Sequence, residues 1–236
     1  MKTKTVFKSI VVGLLFLLMS VSSACAKENA SVASEQKANI TEGKTDAVAM
    51  SNTSSPEQNN TAEKSTTAKS LVVYFSHTGE NYGVGVITEG NTAILAKMIS
   101  EKMGADSFEI VPEKAYPKTY NECIDVAKKE QNAKMRPTYT GDIDISVYET
   151  IYIGYPIWWG DLPMVVYTFL EAHDLSGKTL IPFCTHEGSG LSGTDGRIKQ
   201  LYKNVTMKKA LSMRGTVAQK NRKEAERLVD EWLDLH

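Results

Sequence analysis

The chain is poor in the residues that mark several common chemistries. It has three cysteines in 236 residues, and Cys25, Cys123 and Cys184 show neither metal-ligand spacing nor a disulfide framework. No metal site is expected. Lysine and arginine number 27 against 28 acidic residues, a net charge of −1, so the basic surplus of a nucleic-acid groove is missing. No Gly-Lys-Ser/Thr follows the early glycines, which excludes a P-loop, and Gly83-x-Gly85 meets Thr88 where a dinucleotide fingerprint needs its third glycine. A Gly-x-Ser-x-Gly elbow fails at Gly190-Leu191-Ser192-Gly193-Thr194, which sets hydrolase chemistry aside. Arginine is absent before Arg136, so a twin-arginine export signal for folded cargo is missing too.

What is present begins with an export segment. Lys2, Lys4 and Lys8 precede the apolar run Ile10 to Met19, and small residues follow through Ala26. The run is shorter than the ~20 apolar residues of a spanning helix, so residues 1–26 read as a secretory signal. Two cleavage readings stand. Ala24-Cys25-Ala26 fits a cut before Lys27, and the same stretch resembles a bacterial lipobox with Cys25 as the lipidated residue, although Ser22 stands where a larger aliphatic is usual. Residues 27–69 hold no aromatic and few large aliphatics, and cannot bury enough surface to offset their ordering entropy. They read as a disordered linker, either a tether or a plain leader. A chain exported without the twin-arginine signal is expected to cross unfolded and to acquire any cofactor outside.

From Ser70 to His236 the pattern is that of one globular domain. Leu71 to Phe75, Ile151 to Tyr155 and Leu180 to Cys184 are apolar runs without alternation, as strands buried on both faces are. Helical patterns lie between them. Leu95, Met98, Ile99 and Met103 share one face, as do Ala225, Leu228, Val229 and Trp232. Alternating strands and helices predict a parallel sheet covered on both sides, with strands at 70–75, 106–111, 149–154, 179–184 and about 209–213.

In such sheets ligands bind beyond the carboxyl ends of the strands, so the loops after them matter most. The first strand leads to Ser76-His77-Thr78-Gly79-Glu80-Asn81-Tyr82 and then Gly90-Asn91-Thr92, which opens a helix. Hydroxyls and free amides at a helix start suit a single phosphate, and a Ser/Thr-rich helix cap would look similar. The third strand leads to Pro156-Ile157-Trp158-Trp159-Gly160-Asp161-Leu162-Pro163. Asp161 reads as a helix N-cap with Pro163 in the first turn, which leaves both tryptophans in the loop, facing a flat ligand or plugging the sheet. The fourth strand leads to Thr185-His186-Glu187-Gly188-Ser189-Gly190, where glycines allow close backbone approach.

These three loops resemble the FMN loops of the flavodoxin family, in the branch of NAD(P)H-dependent FMN oxidoreductases. The resemblance spans roughly residues 70–236. It implies a three-layer α/β/α sandwich with five parallel strands in the order 2-1-3-4-5, and FMN as cofactor. It also implies that Ser76, Thr78, Asn91 and Thr92 hold the phosphate, with His77 beside them. Pro156, Ile157, Trp158, Trp159 and Gly160 would line one side of the flavin ring, and Thr185, Glu187, Gly188, Ser189 and Gly190 the other. Two departures stand out. Residues 83–89 interrupt the first loop, which leaves open whether Asn81 or Asn91 meets the phosphate, and Glu80 sets a carboxylate beside it.

The flavin would carry the chemistry, and no catalytic side chain is expected, His77 and His186 reading as hydrogen-bonding loop residues. Three functions remain open. The first is an extracytoplasmic electron carrier anchored to the outer membrane face, working with a redox protein or a small electron acceptor. The second is an NAD(P)H-dependent reductase of quinone, nitro or azo compounds. The third is a module of the same fold without flavin. Residues 70–236 carry 19 basic and 22 acidic side chains, a net of −3, which argues against a strongly steered partner. Export argues against the reductase, because reduced nicotinamides are scarce outside the cytoplasm.

Overall fold

The computed structural model describes residues 69–236; the signal segment with Cys25, and the linker through residue 68, lie outside the described residues. The domain begins with β1 (Ser70–Tyr74), the hairpin β2 (Gly79–Asn81) and β3 (Gly85–Ile87), α1 (Asn91–Met103), β4 (Asp106–Glu109) and β5 (Val111–Pro112). It continues through α2 (Tyr120–Asn132), β6 (Tyr139–Thr140), a 3-10 turn (Ile145–Val147), β7 (Thr150–Pro156) and α3 (Met164–Ala172). The last third holds β8 (Thr179–His186), α4 (Thr194–Leu201), β9 (Thr206–Met207), β10 (Leu211–Arg214), α5 (Gly215–Lys220) and α6 (Arg222–Leu233).

The central sheet runs β4-β1-β7-β8-β10, all parallel, with β9 beside the start of β8. Counted as main strands this is the expected order 2-1-3-4-5. The apolar runs lack alternation because both of their faces are covered. Leu71, Val73, Ile151, Ile153 and Leu180 pack with Val165, Phe169 and Ile198 on one side. Val72, Tyr152, Ile181 and Phe183 pack with Ile94, Leu95, Ile99, Val229 and Trp232 on the other. Each such side chain contributes roughly 1.5–3 kcal/mol when buried. Gly154 is required between them, since a Cβ there would lie 2.1 Å from the Phe183 ring.

Three sequence expectations need correction. The fifth strand, expected at about 209–213, is two pieces: Leu180 faces Met207 and Phe183 faces Leu211, so β8 advances three residues while its neighbour advances four. The cause is Pro182. The Leu180 carbonyl accepts from the Lys208 amide, and side-to-side alternation turns residue 182 toward the same neighbour, where proline has no N–H to give. The second strand stops at Glu109 rather than at residue 111, because Val111–Pro112 turns away to pair with Tyr139–Thr140. Met103, expected on the buried face of α1, is 43% exposed, and that face is instead Thr92, Ile94, Leu95, Ala96 and Ile99.

Candidate functional site

A cavity of about 330 Å³ opens at the carboxyl ends of β1, β7 and β8. Its first wall follows β1. Ser76 Oγ accepts from the Ala93 amide at 3.0 Å and so caps α1 from the preceding loop. Gly90 has to be small for this, since a Cβ there would fall 2.1 Å from Ser76 Oγ. The Thr92 and Thr185 hydroxyls meet at 2.8 Å, fully buried, and tie the first loop to the third. His77 is 8% exposed, and neither its Nε2 nor the buried Asn91 Oδ1 has a partner. Burial, helped by the charge of Lys118, pushes the His77 titration down to about 4, so the ring is neutral at neutral pH.

Asn81 and Asn91 both line the cavity but differ in use. The Asn81 amide donates to Gly79 O at 3.2 Å, back into its own turn, whereas the Asn91 carbonyl is free. Residues 83–89 form the arm of the β2–β3 hairpin, whose Tyr82 approaches Tyr120 of α2 at 6.0 Å between rings. Glu80 lines the cavity, and its Oε2 accepts from the Tyr120 amide at 2.9 Å, in the first turn of α2. Thr78 Oγ1 accepts from Lys118 Nζ at 2.6 Å.

The second wall is the tryptophan turn. Trp158 and Asp161 exchange both backbone hydrogen bonds, at 2.9 and 3.0 Å, while Trp159 (φ 51) and Gly160 (φ 71) take the left-handed region. That is a type I′ turn, and a bulky side chain at its first central position costs roughly 1–2 kcal/mol. The strain is held by α2. Trp159 Nε1 donates to Ile124 O at 2.9 Å, Gln131 donates to Trp159 O at 3.2 Å, and Lys128 Nζ sits 4.7 Å from the indole. Trp159 stays half exposed on the cavity, whereas Trp158 packs edge-on against Phe75, Tyr116 and His77. Both tryptophans line the cavity, Trp158 half-buried against the core and Trp159 exposed at the opening.

Asp161 is not the N-cap of α3, which begins after Pro163. Its Oδ1 instead accepts from the Leu162 amide, the Tyr167 hydroxyl and Arg197. Arg197 also donates to Gly160 O at 2.9 Å and to Ser192 O at 3.3 Å, which welds the tryptophan turn to the glycine-rich loop. Ile157 adds a backbone bond to Thr185 O at 2.8 Å. In the third loop Glu187 accepts from the Thr216 amide at 2.6 Å, and His186 Nδ1 accepts from the Gly188 amide at 2.9 Å. Burial, then the charge of Arg214, lowers the His186 titration.

Of the expected residues, His77, Asn81, Asn91, Pro156, Ile157, Trp158, Trp159, Thr185, Glu187 and Ser189 line the cavity. Ser76, Thr78, Thr92, Gly160, Gly188 and Gly190 belong to the same loops but stand behind or beside the wall. The sequence reading missed Glu80 and His186 as wall residues, Tyr82, and the row Tyr120, Cys123, Ile124 and Ala127 on α2. That row has the spacing of one helix face, yet nothing in the sequence says that the face looks into a cavity. Cys123 is a buried free thiol whose titration burial pushes up to about 11. No cluster of metal-ligating side chains occurs among the described residues.

The sequence profile of the flavodoxin family matches residues 69–232. Among solved structures, a candidate flavoprotein from Bacteroides eggerthii DSM 20697 is 30% identical, over 70% of this chain and 98% of its own, with a TM-score of 0.55. A similar candidate flavoprotein from Bacteroides uniformis ATCC 8492 is 29% identical, over 69% and 98%, with a TM-score of 0.56. A flavoprotein from Lactobacillus acidophilus NCFM, solved in complex with FMN, shares the fold at 20% identity over 70% and 99%, with a TM-score of 0.51. No curated protein matches the chain. A profile match along nearly all of the described domain, on a sheet wound in the expected order, makes this chain a member of the flavodoxin family.

Proposed function

We propose that the domain binds FMN in this cavity and works outside the cytoplasm as an electron carrier for a redox protein or a small electron acceptor. The observation that carries the reading is the unfinished polar end of the cavity. His77 Nε2 and Asn91 Oδ1 are buried without partners, beside the first turn of α1, where the amides of Asn91 and Thr92 have no intrahelical acceptor. Buried polar atoms left open beside free amides fit a phosphate and its hydroxylated chain.

FMN supplies one- and two-electron transfer when bound. The protein's part is to hold and enclose it. Ser76, Thr78, Asn91 and Thr92 would hold the phosphate, with His77 as a neutral hydrogen-bonding neighbour. Trp159, steadied on α2, would cover the ring from one side, and the backbone from Thr185 to Gly190 would border it from the other. Trp158, packed edge-on against Phe75, Tyr116 and His77, would line the same side. Thr185, already bonded to Thr92, keeps the two loops at a fixed separation.

A second reading, the NAD(P)H-dependent reductase, is favoured by one observation. The cavity extends past the three loops onto Tyr120, Cys123, Ile124 and Ala127 of α2, an apolar wall that a planar substrate could share. Location outside the cytoplasm rests on the amino-terminal segment, with Cys25 as the site of a lipid anchor; among the described residues no helix is long and apolar enough to cross a membrane. The visible spectrum of the purified chain after incubation with FMN tests the cofactor. Flavin bands that stay with the protein through gel filtration are expected, and their absence leaves the flavin-free module. Rapid NAD(P)H oxidation with a quinone would move the assignment to the reductase. Retention of label from radioactive palmitate, lost in Cys25→Ser, tests the anchor.

A further inference from the structure

One cation at the phosphate end comes from outside the three loops, and its role rests on the FMN reading above. Besides the Glu80 carboxylate, which the Tyr120 amide engages, the first loop offers hydroxyls, amides and a neutral imidazole to a group that carries between one and two negative charges at neutral pH. Lys118, in the turn ahead of α2, is packed onto this loop. Its carbonyl accepts from the Glu80 amide at 2.7 Å, and a Cβ on Gly79 would lie 2.6 Å from that oxygen. The left-handed φ of +100 at Gly79 fits the same close approach. The backbone therefore locks Lys118 against the loop.

The side chain follows the backbone. Lys118 Nζ donates to Thr78 Oγ1 at 2.6 Å and takes part in none of the described ion pairs. The acidic group nearest in the loop, Glu80, is already engaged by the Tyr120 amide. A hydroxyl that accepts from an ammonium has its own proton free to donate elsewhere. His77, which lines the cavity, stands next to Thr78, more than nine-tenths buried, with its Nε2 buried and unpartnered. Lys118 and the first loop thus bring together a cation outside every described ion pair, a hydroxyl oriented by that cation, and a buried unpartnered polar atom.

We propose that Lys118 is a phosphate-binding residue, whose ammonium, held on Thr78, offsets charge on the FMN phosphate and makes the site select FMN over riboflavin. Charge-assisted hydrogen bonds of this kind are stronger than neutral ones, and phosphate recognition by a lysine needs only a point charge in place.

The test is titration of FMN and of riboflavin into the full chain, stripped of flavin, for the native protein, Lys118→Gln and Lys118→Arg, at low and high salt. In Lys118→Gln the FMN affinity is expected to fall about 10- to 100-fold while the riboflavin affinity changes little. Lys118→Arg should keep most of the FMN affinity, and the salt dependence of FMN binding should shrink in Lys118→Gln. Equal losses for both flavins would reduce Lys118 to a pin for the hairpin and overturn the proposal, as would undiminished FMN binding in Lys118→Gln. If the native chain binds neither flavin, the FMN reading fails first and this proposal with it, an outcome distinct from the other two.

Discussion

The two ends of the cavity are finished in opposite ways. At the tryptophan turn the polar groups serve one another: Asp161 takes three donors, Arg197 reaches three acceptors, and Trp159 is bonded through both its indole and its carbonyl. At the first loop Ser76 and Thr92 are satisfied, but His77 Nε2 and Asn91 Oδ1 are not. A buried donor or acceptor without a partner costs about 1–3 kcal/mol. The polar groups of the turn are paired within the protein, whereas the first loop keeps two buried polar atoms unpaired.

The strongest way to break this contrast is to close the open end. In Gly90→Ala the new Cβ would meet Ser76 Oγ at 2.1 Å and the His77 carbonyl at 2.7 Å, so the loop has to move. Overpacking of this kind costs about 1–3 kcal/mol, and FMN binding should be lost. Denaturant midpoints and flavin titration check both effects. Binding that survives in Gly90→Ala would place the phosphate away from the first loop.

The next effect comes from acid. Because the folded chain holds the His77 titration down at about 4, against 6.5 when unperturbed, the unfolded state binds the extra proton between those values. The contribution of His77 to stability is therefore full above pH 6.5, falls as the pH drops toward 4, and is level below it. Urea midpoints across this range should show the fall, and His77→Gln should flatten it. A pH profile unchanged in that variant would mean that His77 is not buried neutral.

At the finished end the expected effects are smaller. Arg197→Ala removes a donor shared by Gly160 O, Asp161 and Ser192 O, on a side chain that is partly exposed. A loss of about 1 kcal/mol and a melting temperature lower by about 2–4 °C follow. Smallest is Trp159→Gly. It relieves the left-handed strain at Trp159 but gives up the bond to Ile124, so the melting temperature should move by less than about 2 °C. A large drop in Trp159→Gly would show that α2 depends on this indole.

Much of the cavity wall was legible because its loops follow the strands, and the strands declare themselves. Ser76, the tryptophan pair and Thr185-His186-Glu187-Gly188 could be placed from their position after apolar runs. Asp161 was misplaced because an aspartate two residues ahead of a proline suits an N-cap, and its real partners, Tyr167 and Arg197, lie 6 and 36 residues away. The wall on α2 was invisible for a related reason. The spacing of Tyr120, Cys123, Ile124 and Ala127 says that one helix face is apolar, but not that it faces an opening. Adjacent Trp158 and Trp159 could not be told apart either, since only the turn they open packs one against the core and leaves the other half exposed.

By itself the sequence determined the layers. Runs such as Leu71 to Phe75 can be satisfied only between two sheets of helix, because every side chain on both strand faces has to leave water. It also set the break opposite Pro182, although that becomes readable only when the fifth strand is in place. Tertiary structure alone decided which polar atoms find partners. Lys118 reaches Thr78 across 40 residues, Thr92 reaches Thr185 across 93, and Asn91 Oδ1 reaches nothing. Hydrogen bonds are short and directional, so their pairing follows from the final packing of distant segments, and with it the difference between a fully paired turn and a first loop with unpaired atoms.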